Sequence, residues 1–237
     1  MRSDRAARPA IVGPPLEPAG PVLYVAGHRG YIAVMRIYTD VERPAPRKLE
    51  PAIEALRRGE VIVYPTDTGY AFGCALSSAK GAATIRRIKK VLVGVHKPLS
   101  MVVNELSEIS TYASMGNRVF RAMRRVLPGP YTLVLNASQG IPKTAKNRDR
   151  EVGIRMPDHA VCRMLVDSLG EPLLSSSVGD ADEEPCMEHA DDLEKRYGGD
   201  VAVVIDAGPI WPDPSTVLRG SGDRLVVLRE GQGAIPD

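Results

Sequence analysis

Apolar residues recur along this chain at two spacings, one typical of helices and one typical of strands. Leu49, Ile53 and Leu56 follow the helical spacing, and Gly59 supplies a residue type that ends helices. The apolar run at residues 61–64 then predicts a buried strand. The same reasoning predicts further helices at residues 79–90, 106–113, 117–127, 158–169 and 188–197, with Asp158 as the cap of the helix that ends at residue 169. Further strands are predicted at residues 35–39, 99–103, 131–135, 152–156, 172–175, 201–205, 215–218 and 225–228.

Helices and strands interleave, but several successive strands have no helix between them. This order predicts an α/β fold with a mixed sheet and flanking helices, rather than a strictly parallel sheet. Residues 1–34 are rich in proline and glycine and show neither spacing, so we expect this segment to be disordered and residues 35–237 to form one domain. Two alternatives stay open: an over-long gene start with Met35 as the true initiator, and a second small unit within the chain.

The composition is that of an ordinary soluble globular protein, with 237 residues, 43% apolar residues, 25% charged residues and a net charge of +2. Cys74, Cys162 and Cys186 lie in unrelated contexts and suggest no disulfide framework, which fits a reducing cytoplasm. No apolar run approaches the ~18 residues that a membrane helix requires. Prolines also interrupt the N-terminal segment where a signal peptide would need an apolar region. We therefore expect a cytoplasmic protein that does not enter a membrane.

Short polar side chains and glycines follow the predicted strand in the segment 64–73. Pro65 is expected to end the strand, and the carboxyl ends of strands are where open α/β sheets bind ligands. Two hydroxyls and a carboxylate come next, and two glycines allow close backbone approach. These residues are Thr66, Asp67, Thr68, Gly69 and Gly73. The segment is interpreted as a ligand loop, with a capped turn as the alternative.

Basic residues cluster at the end of the predicted helix 79–90 and in the loop after it. The cluster comprises Arg86, Arg87, Lys89, Lys90, His96 and Lys97. A loop that brings Lys89 and Lys97 together would suit a triphosphate, because lysine is a point-charge partner for phosphate. The alternative is a solvated helix end, since basic side chains favour the C-terminal end of the helix dipole.

Three later segments carry groups that suit anions. Arg155 ends a predicted strand and could hold a carboxylate in a bidentate fork, whereas His159 near a helix start is interpreted as a capping or packed residue. The serines at residues 175–177 lack a Gly-x-Ser-x-Gly elbow, so we expect them to hydrogen-bond a phosphate rather than act as nucleophiles. The segments 214–217 and 228–231 each lie at a strand end and could contribute to an anion site.

Other kinds of site have little support. Cys186 and His189 are separated by two residues, but no second pair completes a zinc set, so we interpret the spacing as chance. Neither a P-loop nor a Gly-x-Gly-x-x-Gly dinucleotide turn is present. The sequence therefore predicts no protein-bound metal site.

A surface for nucleic acid is a separate hypothesis. Arg118, Arg121 and Arg125 share one helix face, and residues 143–150 form a second basic stretch that includes Lys143, Lys146, Arg148 and Arg150. Aromatic residues make up 5% of the chain, which argues against a base-stacking platform. Phosphate contacts with structured RNA and an ordinary solvated face are both open.

In order along the chain, these segments resemble the YrdC/TsaC family of threonylcarbamoyl-AMP synthases, and the Gly-Tyr-Ala at residues 69–71 together with residues 106–112 is most similar to its YciO branch. The matching pieces are Tyr64-Pro-Thr-Asp-Thr-Gly-Tyr70, Ile88-Lys89, Lys97-Pro-Leu-Ser100, Pro128-Gly-Pro-Tyr-Thr132, Gly153-Ile-Arg-Met-Pro-Asp-His159, Pro172-Leu-Leu-Ser-Ser-Ser177, Pro214-Ser-Thr-Val217 and Leu228-Arg-Glu-Gly231. The resemblance covers about residues 48–232.

The resemblance implies a twisted α/β fold with a central, positively charged cavity. It implies the condensation of L-threonine, bicarbonate and ATP, with Mg²⁺, into threonylcarbamoyl-AMP and pyrophosphate, in the modification of tRNA adenosine 37. Thr66, Thr68 and Arg155 would then bind threonine, and Lys89 and Ser177 would be catalytic. The residues implied around the nucleotide are Lys89, Lys97, Thr132, Ser177, Ser215 and Arg229.

The sequence departs from the family pattern at three positions. Val91 stands where the family has an arginine two residues after Lys89, Gly179 stands where it has an asparagine, and Val102 replaces a frequent histidine. Loss of a guanidinium and a carboxamide from a polyphosphate site removes groups that would stabilise the transition state. We therefore expect weakened or altered synthase activity. A non-catalytic module that binds tRNA, double-stranded RNA or the ribosome is the second hypothesis.

Overall fold

The computed structural model describes residues 34–93, 99–179 and 188–235, and of residues 90–93 only the backbone. The predictions for the N-terminal segment, for Lys90, His96 and Lys97, and for Cys186 lie outside the described residues or side chains. The helices are α1 Pro46–Arg57, α2 Ala79–Val93, α3 Leu106–Tyr112, α4 Asn117–Val126, α5 Ala160–Leu169 and α6 Ala190–Tyr197, with a short 3₁₀ turn at Lys143–Ala145. The strands are β1 Met35–Tyr38, β2 Ile62–Thr66, β3 Gly69–Ala75, β4 Ser100–Val102, β5 Ala113–Ser114, β6 Tyr131–Ala137, β7 Glu151–Arg155, β8 Leu173–Ser177, β9 Val203–Asp206, β10 Thr216–Ser221 and β11 Arg224–Arg229.

The strands of the described residues form one mixed sheet in the order β1-β9-β2-β3-β8-β4-β7-β6-β10-β11, and β5 pairs with the end of β6. Neighbours are parallel in β1–β9, β9–β2, β4–β7 and β6–β10, and antiparallel in the other pairs. The predicted α/β fold with a mixed sheet is confirmed. Within the described ranges, no helix has the length and apolar character needed to cross a membrane.

Each face of the sheet carries its own apolar core. On one face, which we call the α1–α5 face, side chains of α1 and α5 pack on strand residues such as Ile62, Tyr64 and Leu173. On the opposite face, α2, α3, α4 and α6 pack on residues such as Val63 and Phe72. Adjacent residues of one strand thus enter different cores, as the alternation of side chains in a strand requires.

The prediction that Pro65 ends the strand is wrong. Strand β2 continues through Pro65, which lies opposite Tyr70, to Thr66, and the chain then turns back at residues 67–68 into β3. Beyond Val63 the register of β2 with β9 ends, so Pro65 lies where its missing N–H breaks no ladder on that side. The expected ligand loop is therefore the tip of a β-hairpin.

Strand β3 was not predicted because its glycines indicate a loop. Gly73 is required there by packing, since a Cβ on Gly73 would lie 2.7 Å from Cε1 of Tyr64. The ring of Tyr64 on β2 thus lies across the neighbouring strand, and its hydroxyl donates to Ser175 Oγ at 2.8 Å. The small residue makes room for a large one, and strand geometry is retained.

The prediction that Asp158 caps α5 is also wrong. The N-cap is His159, whose Nδ1 accepts the backbone N–H of Val161 at 3.3 Å, so the interpretation of His159 as a capping residue is confirmed. The backbone N–H of Asp158 instead donates to Asp67 Oδ2 at 3.1 Å. This bond ties the start of α5 to the tip of the β2–β3 hairpin.

Candidate functional site

Part of the α1–α5 face is lined by small and polar side chains instead of apolar ones. The strand registers place Ser175 beside Ser100 and Gly73, and Ser100 beside Gly153. A Cβ on Gly153 would lie 3.6 Å from Cγ2 of Thr132, which continues the row toward β10. We call this row the polar strip; its members are Ser100, Thr132, Arg155, Ser175, Ser177 and Ser215.

The hairpin tip forms a compact hydrogen-bond network beside the strip. Thr66 is buried, and its hydroxyl donates to the carbonyl of Gly69 at 2.7 Å. Thr66 Oγ1 accepts the backbone N–H of Thr68 at 3.2 Å and also lies 3.2 Å from Thr68 Oγ1. Because the Thr66 proton is directed to Gly69, Thr68 is the hydroxyl with a proton to donate, either to Thr66 or to a ligand.

Arg155 joins this network from the end of β7. It is 7% exposed, and its Nη2 donates to Asp67 Oδ1 and to Thr68 Oγ1, both at 2.8 Å. Its Nε is buried and has no hydrogen-bond partner among the described residues. The sequence predicted that Arg155 would hold a ligand carboxylate, and the structure places the carboxylate of Asp67 against it.

Asp67 lies in the predicted ligand loop but is not among the predicted site residues. Its carboxylate contacts Arg155 through one oxygen and the backbone N–H of Asp158 through the other. The signal for this role was an acidic residue between two threonines expected at a ligand site. Its arginine partner is 88 residues away, so local spacing could not identify the pair.

A second network lies at the β6–β10 end of the strip. Thr132 Oγ1 and Ser215 Oγ are 2.8 Å apart, and Arg229 Nη2 donates to the Ser215 carbonyl at 2.8 Å and lies 3.4 Å from its Oγ. Leu133 pairs with Ile154, so one residue along this register Thr132 lies beside Arg155. The two networks therefore adjoin on one sheet face.

A β-bulge in β11 brings Arg229 into this second network. Leu218 pairs with Val227, but the preceding residue, Val217, pairs with Arg229, so one extra residue is inserted in β11. Val217 also pairs with Thr132. The shift therefore gives Arg229 the same face as Thr132 and Ser215.

Lys89 and Ser177 lie at the end of β8. Lys89 comes from α2 on the opposite face, is 3% exposed, and its Nζ lies 3.4 Å from the carbonyl of Val178. Ser177 is exposed on the α1–α5 face, where it pairs with Ala71. Burial of an ammonium group is costly and is tolerated only with polar contacts. The buried ammonium of Lys89 thus reaches the backbone of the residue that follows Ser177, while the two side chains come from opposite faces of the sheet.

Burial keeps the phenol of Tyr64 and the thiol of Cys162 protonated. It raises the pKa of the Tyr64 phenol and of the Cys162 thiol well above their ordinary values. Burial also lowers the pKa of His159 and so favours its neutral form, which the cap requires. These groups therefore offer neither a thiolate nor a phenolate at neutral pH. Hydrogen bonding and fixed charge are the chemistry that this arrangement provides.

Two further predicted features concern metals and RNA. Over residues 34–93, 99–179 and 188–235, no group of three or more His, Cys, Asp or Glu residues is placed to hold a metal ion. The expected basic face of α4 is exposed and includes one more arginine than predicted; its arginines are Arg118, Arg121, Arg124 and Arg125. RNA binding and the central cavity implied by the resemblance stay predictions.

The fold and the polar strip define a class of α/β protein with a hydroxyl- and arginine-lined site on one face of a mixed sheet. The family model for Sua5, YciO and YrdC, which is described as "Telomere recombination", matches residues 54–231. The chain therefore belongs to the Sua5/YciO/YrdC family, and the resemblance found in the sequence is confirmed.

Similar proteins include members with and without a stated activity. The Escherichia coli protein YciO is 33% identical over 199 residues, which are 84% of this chain and 96% of YciO. Its crystal structure has a TM-score of 0.78, covering 85% of this chain and 97% of that one. A threonylcarbamoyl-AMP synthase of Neisseria gonorrhoeae is 30% identical over 173 residues, which are 72% of this chain and 90% of the synthase. The relatives that are named threonylcarbamoyl-AMP synthases are enzymes.

A more distant structure supports the fold alone. P. abyssi Sua5, in a crystal structure complexed with L-threonine, has a TM-score of 0.72 at 24% identity, covering 83% of this chain and 57% of the Sua5 chain. The mixed sheet and its flanking helices are therefore shared well beyond the range of close sequence similarity.

Proposed function

We propose that this protein is a YciO-like homologue of the threonylcarbamoyl-AMP synthases that binds ATP and L-threonine and has weakened or altered synthase activity. The reaction would condense L-threonine, bicarbonate and ATP into threonylcarbamoyl-AMP and pyrophosphate. The observation that carries the proposal is the pair of adjoining networks, Thr66–Asp67–Thr68–Arg155 and Thr132–Ser215–Arg229, on one sheet face. Membership of the family supports the assignment of this sheet face to the substrates of the synthase reaction.

The first network suits an amino acid. Among the described residues, the buried Nε of Arg155 has no hydrogen-bond partner, and the Thr68 hydroxyl has a proton to donate. Both groups can donate a hydrogen bond to the carboxylate or to the hydroxyl of a bound threonine. Because Asp67 and Arg155 are already held together, the donors need little reorganisation when a ligand binds, which favours affinity.

The second network and the end of β8 suit a nucleotide. Arg229, Ser215 and Thr132 provide a cation and hydroxyls, and we assign Lys89 and Ser177 to the reacting phosphate. Attack on a phosphoryl group needs positioned reactants and stabilised negative charge more than covalent chemistry. Asp67 is already engaged by Arg155, so we expect Mg²⁺ to be held chiefly by the phosphate oxygens of ATP.

The direct test is incubation with ATP, L-threonine, bicarbonate and Mg²⁺, followed by detection of threonylcarbamoyl-AMP and pyrophosphate. We expect product to form slowly and ATP to raise the melting temperature. Absence of product together with absence of any thermal shift would refute the proposal. In that case the protein would share the fold of the synthases but not their activity.

A gain of function tests why the activity would be weak. A Cβ on Gly179 meets no atom of the described residues within 4 Å. The double substitution Val91→Arg with Gly179→Asn restores the family's two polar groups and should raise turnover about tenfold or more, since each donor to developing charge contributes substantially. Gly199→Asn is a matched control, because a Cβ on Gly199 also meets nothing within 4 Å. An unchanged rate in the double variant would reject this explanation.

The exposed arginines of α4 favour a second candidate function, the non-catalytic binding of tRNA, double-stranded RNA or the ribosome. The ten residues of α4 include no acid, and the one ion pair of its arginines among the described residues joins Arg118 Nε to Asp223 Oδ2 at 3.8 Å. Binding through phosphates predicts affinity that falls steeply with salt. Changing Arg118, Arg121 and Arg125 to Gln should weaken RNA binding and reduce its salt dependence. Changing the exposed Arg47, Lys48 and Arg57 of α1 should not. Equal effects of both triple variants would refute a specific role for α4.

A further inference from the structure

The single tryptophan of the chain, Trp211, is strongly exposed. It is 63% exposed, more than the other exposed large apolar residues of the described ranges, which are Val41, Val226, Leu228 and Ile235. An indole ring left in water forgoes a large hydrophobic gain. Aromatic side chains of this kind are common where a protein binds a ligand or a partner.

The loop that carries Trp211, residues 207–215, is held in place along its length. Three prolines at positions 209, 212 and 214 restrict its backbone. Hydrogen bonds fix it to four residues elsewhere in the protein: Tyr70 with Ala207 and Gly208, Ile210 with Glu188, Asp213 with Thr68, and Pro214 with Gln232. The backbone that presents the indole is therefore pre-organised, so ordering it on binding costs little entropy.

The same loop connects the two networks of the candidate site. Pro212, the residue after Trp211, lies against Gly69, where a Cβ would be 3.2 Å from Cα of Pro212. The backbone N–H of Asp213 donates to the carbonyl of Thr68 at 3.2 Å. At its other end the loop leads to Ser215, which contacts Thr132 and Arg229. Trp211 thus comes directly before the two residues that contact the hairpin tip, Pro212 and Asp213, on the segment that leads to the nucleotide network.

We infer that Trp211 forms a stacking surface for the purine base of the bound nucleotide. This inference rests on the proposed function and adds a site for the base to the predicted contacts with the phosphates. Hydroxyls and basic side chains of the polar strip suit the phosphates and the amino acid, whereas a purine ring needs a flat apolar surface. An indole provides that surface. Stacking is tolerant of base identity, so the site would select for a base without strongly selecting which one.

The test uses Trp211 as its own reporter, because no other tryptophan contributes to the emission. Titration with ATP should quench the fluorescence, whereas inorganic triphosphate, which lacks a base, should not. In calorimetry, Trp211→Ala should weaken ATP binding about tenfold and leave triphosphate binding unchanged. Trp211→Phe should restore most of the affinity, because it keeps an aromatic face. Val41→Ala, at another exposed apolar residue, is the control and should bind ATP like the parent protein.

Each contrary result has a distinct meaning. Equal ATP affinity of the parent protein and Trp211→Ala would overturn the stacking role while leaving the proposed function intact. No calorimetric binding of ATP to the parent protein would overturn the proposed function, and the stacking role with it. A single-stranded oligonucleotide that quenches Trp211 at far lower concentration than ATP would overturn the assignment to a mononucleotide in favour of RNA.

Discussion

At the scale of single residues, the pair Asp67 and Arg155 decides the electrostatics of the candidate site. The two side chains are 11% and 9% exposed, and their Nη2–Oδ1 distance is 2.8 Å. An arginine buried without this partner would carry an uncompensated charge, which is far more costly than the pair itself. Asp67 is therefore a positioning residue, since it holds the guanidinium at Thr68 before any ligand arrives.

We expect Asp67→Ala to lower the free energy of unfolding by about 3 kcal/mol, because it leaves the charge of Arg155 buried and unpaired. Asp67→Asn keeps an oxygen acceptor and should lower it by about 2 kcal/mol. Chemical denaturation measures both values. Asp158→Asn is the matched control, because the Asp158–Arg163 ion pair is exposed and should contribute less than about 1 kcal/mol. Similar losses in all three variants would contradict the role given to Asp67.

His159 makes the stability of the protein depend on pH. Burial lowers its pKa below the ordinary value of 6.5, so near and below pH 6.5 the unfolded chain binds more protons than the folded one. Its contribution to stability is therefore present above pH 6.5 and is lost as the pH falls through the lowered pKa. Protonation would also remove the Nδ1 acceptor that caps α5.

We expect His159→Asn to reduce the loss of stability between pH 7.5 and pH 5.5, because asparagine caps the helix without titrating in this range. Thermal unfolding at a series of pH values measures the effect. His189→Asn is the matched control, since His189 precedes α6 but its side chain makes no cap hydrogen bond. A pH dependence that His159→Asn leaves unchanged would show that other groups cause it.

At the scale of elements, strand β8 shows how one strand serves two purposes. Its successive residues face opposite cores, so Ser175 and Ser177 lie on the polar strip and Ser176 lies on the other side of the sheet. Leu173 and Leu174 likewise enter different apolar cores. The strand therefore contributes to binding through alternate positions and to packing through the rest.

This alternation predicts different outcomes for adjacent serines. Ser177→Ala should lower synthase turnover at least tenfold, because a donor to the reacting phosphate is lost, and should change the melting temperature little because Ser177 is exposed. Ser176→Ala removes a serine hydroxyl from the opposite face of the sheet and should leave turnover unchanged. Turnover and thermal melts of the two variants make the comparison. If both variants lost activity equally, the assignment of Ser177 would fail.

At the scale of the whole molecule, the sequence predicted what depends on local periodicity. The six predicted helices and most of the predicted strands are present in the described residues, because each of them packs the apolar positions that its spacing identifies. Periodicity does not predict the hairpin of β2 and β3, because Gly73 is a residue type typical of loops, whereas in the structure it makes room for the Tyr64 ring. The pairing of Asp67 with Arg155 was missed because it joins residues 88 positions apart. Contacts of this kind depend on sheet order, which periodicity does not specify.

The bulge in β11 means that this strand contains one residue more than its pairing requires. If Leu228 were deleted, Val227 and Arg229 would become consecutive residues opposite the consecutive Leu218 and Val217, and Arg229 would keep its place beside Ser215. A one-residue change of length in a regular strand turns all the following side chains to the other face. Here the shorter strand would lose only its irregularity. The nucleotide end of the site is thus protected against the loss of one residue from β11, an error that would be destructive in most strands.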